Sequence, residues 1–138
     1  MNGFDRQSWI VTTILVGALY STIGVVLAIP SHHVRFWRLA AWGAGAVVYA
    51  AHIGYEHFTM RNPPLRSSLH VAMAAAIGGF GLAAAAMVHS LINPPNYPRS
   101  RFHLALVVWP LVTGVPAFLV ALPVISVIAF LRSSGKPD

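Results

Sequence analysis

Four apolar runs, separated by polar links that carry prolines, constrain this chain more than anything else in it. They cover about residues 9–29, 32–58, 65–92 and 102–131. As helices rising ~1.5 Å per residue, such runs are long enough to cross a hydrocarbon core about 30 Å thick. Only 9% of the residues are charged and 57% are hydrophobic, with a mean hydropathy of +0.67. A soluble domain carries roughly 25% charged residues, so this chain cannot clothe itself in a water-soluble surface. The sequence predicts an all-α integral membrane protein. Residues 1–138 form a single four-transmembrane-helix bundle with short loops and no soluble domain.

The links set the expected order of the helices. The run from Trp9 to Ile29 is too long for the apolar core of a signal peptide, and Asp5 partly offsets Arg6, so it reads as a span. Pro30 ends it and Ser31 is a natural cap for the second helix, which makes the first two helices an antiparallel hairpin. The turn Thr59–Arg66 places Pro63 or Pro64 at the start of the third helix. The stretch Asn93–Arg101 is another proline-locked link, with Ser100 as a cap for the fourth. Pro110, Pro116 and Pro123 should bend that fourth helix. Trp9, Trp37, Tyr97 and Trp109 suit interfacial aromatic belts. Five cations (Arg6, Arg61, Arg66, Arg132, Lys136) against four (Arg35, Arg38, Arg99, Arg101) favour cytoplasmic termini in a bacterial-type inner or plasma membrane.

The second run carries a polar stripe: Ser31, Arg35, Arg38, Trp42, Gly45, Tyr49, His52, Glu56 and Thr59. Their alternating three and four spacing puts them along one helix face. A face like this cannot turn to lipid, because unpaired charge is too costly there. The rest of the protein, or a partner, must cover it. An adjacent face offers Gly43, Ala46, Ala50 and Gly54, and the third run is rich in glycine and alanine. Small residues let backbones approach closely, so the second and third helices are expected to make the closest contact.

Glu56 is the only acidic residue between Asp5 and Asp138, and an intramembrane carboxylate is a functional candidate by default. His52 lies one turn away on the same face, with Tyr49 beyond it, and His70 comes from the third helix at similar depth. His57 is about 100° around the helix from Glu56 and is assigned to another surface. The group His52, Glu56, His70 and Tyr49 reads as a buried polar lock or as a proton relay. A metal held by His, Glu and His stays open, as does a haem taking His52 with His70, or either with Met73. At the other ends of the helices gather His32, His33, Arg35, Arg38, Arg99, Arg101 and His103, with His89, as contacts for anionic lipid, phosphate or a quinone headgroup.

These features favour a small accessory or structural subunit of a larger membrane complex of energy-transducing or transport type. In that role it would lend a histidine to a haem, pigment or quinone. One alternative is a homo-oligomeric proton-coupled transporter or channel using His52 and Glu56. Another is a haem- or quinone-linked membrane oxidoreductase. The expected partners are the lipid bilayer and either other membrane subunits or further copies of the chain. Nucleic acid is not expected, since no basic patch lies outside the apolar segments. With no nucleotide motif, the isolated chain is not expected to be an enzyme. No cysteine is present, so disulfides and thiolate metal sites are excluded.

Overall fold

The computed structural model describes residues 3–93 and 100–134, and within them the chain is all-helical. Four helices follow one another: α1 (Gly3–Ala28), α2 (Val34–Gly54), α3 (Pro64–Ile92) and α4 (Ser100–Ser134). A π-helical turn, Tyr55–Thr59, continues α2. Pro64 occupies the first turn of α3, where its missing N–H would have had no partner. Helix α4 runs unbroken through Pro110, Pro116 and Pro123. At the start of α2 the expected Ser31 cap does not form. The helix begins only at Val34, and His33 takes a left-handed conformation (φ 55°) with no side-chain capping bond. Tyr97, Arg99 and Lys136 lie outside the described residues.

Three segments, Trp9–Ala28, Pro64–Ile92 and Arg101–Ser134, are long and apolar enough to cross a membrane, which fits an integral membrane protein. The sequence led us to expect four. Helix α2 is not among them, because Arg35 and Arg38 fall in its first turns and half of its apolar positions are alanine or glycine.

The contacts give the helix directions. Trp9 meets His70, Gly17 meets Ala74 and Ile77, and Gly24 meets Leu82, so α1 and α3 run parallel. Gly79 meets Trp109 while Gly114 meets Ala72 and Ala76, so α4 runs antiparallel to α3. Tyr49 donates a hydrogen bond to the Ala117 carbonyl, and Arg132 sits 5.2 Å from the centre of the Phe58 ring. Helix α2 therefore points the same way as α4 and meets it near its last turns, while it packs mainly on α1.

Helix α3 is the centre of this arrangement. It packs along its length on α4 and on α1, and it touches α2 only slightly. A Cβ on Gly78 would lie 2.6 Å from the Tyr20 Cβ of α1, and one on Gly79 would lie 2.8 Å from the Trp109 carbonyl oxygen of α4. Neighbouring positions thus face different helices, and at both only a hydrogen fits. Side chains reinforce both contacts. Ser21 donates to the Gly78 carbonyl (3.2 Å), and Thr113 donates to the Ala75 carbonyl (3.0 Å).

This corrects the expected pairing of the second and third helices. Gly43, Ala46 and Ala50 are not packed on α3: Ala46 and Ala50 are exposed, and Gly43 and Gly45 have nothing within 4 Å of a Cβ placed on them. The small residues of α3 are spent on α1 and α4 instead. Only the last turns of α2 are buried, where Ile53 joins Val71, Ala121 and Ile125 in the core, with Tyr49 packed against them.

The two glycine environments make opposite predictions. Gly79→Ala should lower the thermal stability of the purified protein by about 1–3 kcal/mol, the usual cost of overpacking. Gly43→Ala should leave it unchanged or raise it by up to about 1 kcal/mol, through helix propensity alone. Unfolding in detergent, followed by circular dichroism, checks both. Equal effects would contradict the packing described.

Candidate functional site

The polar stripe of α2 divides in two. Its first half, Ser31, Arg35, Arg38 and Trp42, is exposed, Trp42 to 78%. Its second half turns inward, with Tyr49 half-buried, His52 3% exposed and Glu56 fully buried. Thr59, the last of the series, is exposed again.

A buried carboxylate needs donors, and Glu56 takes them from two segments. The Asn62 amide donates to Oε2 at 3.0 Å, and His70 Nδ1 lies 3.1 Å from both carboxylate oxygens. An ionised carboxylate only accepts, so Nδ1 is the protonated ring nitrogen of His70 in this arrangement. The His70 ring is held from α1 as well, by a parallel stack on Trp9 with centroids 4.5 Å apart and planes within 2°. One charged side chain thereby ties together the ends of α1, α2 and α3.

His52 stands differently. Its Nε2 is 3.8 Å from Glu56 Oε1, too long for a hydrogen bond. Both of its ring nitrogens are buried with no partner among the described residues. His57 Nε2 and Ser67 Oγ are likewise buried and unpartnered. His57 is also buried, 8% exposed, although an ideal α-helix would set it about 100° around from Glu56. The π-helical turn is the reason. Its i→i+5 bonding, seen in the Met60 N–H bond to the Tyr55 carbonyl, narrows the angle between successive residues. Glu56 and His57 can then both point inward.

The sequence reading missed His57, Asn62, Ser67 and Trp9. A π-turn has no sequence signature, and the inward side of a turn residue such as Asn62 is not periodic. The Trp9 contact depends on α1 lying parallel to α3, which a chain of short links permits but does not announce.

For a bound metal or haem the fit is poor. Among the described residues no group of three His, Asp or Glu side chains could hold a metal ion. A haem iron between His52 and His70 would need the space that the Glu56 carboxylate fills, 3.8 Å from one ring and 3.1 Å from the other. Met73 is 39% exposed, one turn beyond His70.

At the opposite end, His32, His33, Arg35, Arg38, His89, Arg101 and His103 are all exposed, and Arg99 lies outside the described residues. Arg101 borders a cleft of about 240 Å³ between α3 and α4, lined also by Leu82, Ala83, Ala86, Phe102, Ala105 and Trp109. No protein-family model matches the chain, and neither a search of curated proteins nor one of solved structures finds a similar protein.

The network around Glu56 can be weighed by substitution. Glu56→Gln keeps the shape but turns an acceptor-only group into one that also donates, facing Asn62 and His70. It should cost about 1–3 kcal/mol in the unfolding of the purified protein. A variant as stable as the wild type would show that the carboxylate does not hold these helices together.

Proposed function

We propose that this chain is a small accessory subunit of a larger membrane assembly, crossing the bilayer four times, with the first half of α2 as its docking face. One observation carries the reading. Arg35, Arg38 and Trp42 stand exposed on a helix whose Gly43 and Gly45 have nothing packed on them, so the chain's own helices leave this face bare. In the four-span reading this stretch lies at membrane depth, where bare glycines favour close approach of another helix. Arginines near its end favour a partner with a carboxylate at the same level.

Charge argues that the partner is a different protein. The chain has three acidic residues, Asp5, Glu56 and Asp138. Glu56 is occupied, Asp5 is at the start of α1, the end away from Arg35 and Arg38, and Asp138 lies outside the described residues. A second copy in the same orientation brings no carboxylate to this face. The second reading, a proton-coupled homo-oligomer, is favoured by the burial of His52 beside Glu56. It leaves the bare face of α2 unexplained.

Because the chain lacks cysteine, Ala46→Cys gives a unique handle. Oxidative or bifunctional crosslinking in native membranes should yield one adduct, containing a second, acidic membrane polypeptide. An adduct at twice the 14.8 kDa chain mass would support self-association instead. No adduct, with the chain migrating alone in a gently solubilised native separation, would overturn the subunit reading. The topology has its own check: reporters fused after Asp138 and inserted near Asn96 should report opposite compartments.

A further inference from the structure

Among the described residues six buried polar atoms have no partner: Thr13 Oγ1 and Tyr20 Oη lie on α1, and the other four, His52 Nδ1, His52 Nε2, His57 Nε2 and Ser67 Oγ, belong to the end of α2, the π-helical turn and the first turn of α3. These four belong to the same two helix ends that surround Glu56. Buried polar groups in folded proteins almost always find a partner, and where no protein atom serves, ordered water does. The requirement is sharper in an apolar surrounding, where nothing else can compensate.

The His52–Glu56 pair shows where a water would sit. Nε2 and Oε1 are 3.8 Å apart, too far to bond directly and near enough for one water beside them to bond both. Of the two carboxylate oxygens, Oε2 accepts from Asn62 and His70, while Oε1 has His70 alone and keeps acceptor capacity. A second, independent observation lies in the backbone. The chain adopts a π-helical turn at Glu56 and His57, a geometry that is rare, weaker than the α-helix and frequent at functional sites. Nothing in the packing of Ile53 against Val71, Ala121 and Ile125 requires it.

We propose that this end of the molecule holds ordered internal water bridging His52 to Glu56, and that His52, Glu56 and His70 form a proton-exchanging site reached past Asn62. Asn62 is half-buried and bonded directly to the carboxylate, so it joins Glu56 to a partly exposed position. A proton arrives as hydronium, is taken by a free nitrogen of the His52 ring and leaves by the same water. Only N–H and O–H bonds are made and broken. The groups around the site are Tyr49 and His52 from α2, Glu56 and His57 from the turn, Asn62 from the link, Ser67 and His70 from α3, and Trp9 from α1. Helix α4 brings Ala121 and Ile125 against Ile53, and one cation to this end, Arg132, which stands over the Phe58 ring.

The test uses the full chain, labelled with ¹⁵N and reconstituted in lipid nanodiscs, with water-exchange NMR as the readout. The His52 ring N–H should show a cross-peak to water and exchange faster than the backbone amides of Val71 and Ala74, which are fully buried. Asn62→Leu should slow exchange at His52 while the exposed His89 and His103 rings stay unchanged. Loss of the His52 cross-peak in the wild type, with His89 and His103 still showing theirs, would overturn the proposal. The wild-type spectrum alone decides the matter if the variant does not fold. The purified chain suffices, so the outcome is independent of any docking partner.

Discussion

The close approach of α3 to two helices at once is the constraint on which the rest depends. In an apolar surrounding, helices gain little from burying more apolar surface, and contact rests on dispersion and on hydrogen bonds between helices. Gly78 and Gly79 let the α3 backbone come near Tyr20 on one side and the Trp109 carbonyl on the other. Ser21 and Thr113 then bond α3 carbonyls from both flanks. These contacts fix the depth and rotation of α3. The same contacts bring His70 to the place where a carboxylate from α2 can reach it.

Glu56 is the electrostatic counterpart of that steric constraint. A lone carboxylate in such a place costs several kcal/mol, and removing that cost takes donors arranged before the charge arrives. Asn62 supplies one from an irregular link, and His70 supplies the other from the second turn of a regular helix. Trp9 fixes the plane of the His70 ring. The tight α-helical turn gives way to a π-turn at this point, an exchange of backbone geometry for side-chain direction. Packing alone would favour the α-helix; the inward-pointing Glu56 and His57 go with the wider turn.

Much of this was legible in the sequence, for definite reasons. Length and apolarity marked four helical runs, and the three and four spacing put Tyr49, His52 and Glu56 on one face. Counting depth from the middle of each helix placed His70 level with Glu56, and the two are hydrogen-bonded. What could not be read was which helix meets which. Small residues occur on nearly every side of α3, so the pattern names no neighbour, and the expectation of α2 went astray. The start of α2 was misplaced because Ser31 has the chemistry of a cap without its geometry; His33 turns left-handed there instead. His57 followed from an α-helical angle that the chain does not keep.

The weak apolarity of α2 bears on how the chain enters a membrane. A segment with two arginines in its first turns and a buried carboxylate just past its end gains little by moving into hydrocarbon alone. The donors that neutralise the carboxylate, Asn62 and His70, are synthesised after it. In the four-span reading, α2 would gain these donors only once the link and the start of α3 have been made. The order of synthesis would then become part of the folding problem: α1 is long and apolar enough to cross alone, whereas the carboxylate that ends α2 depends on residues made after it.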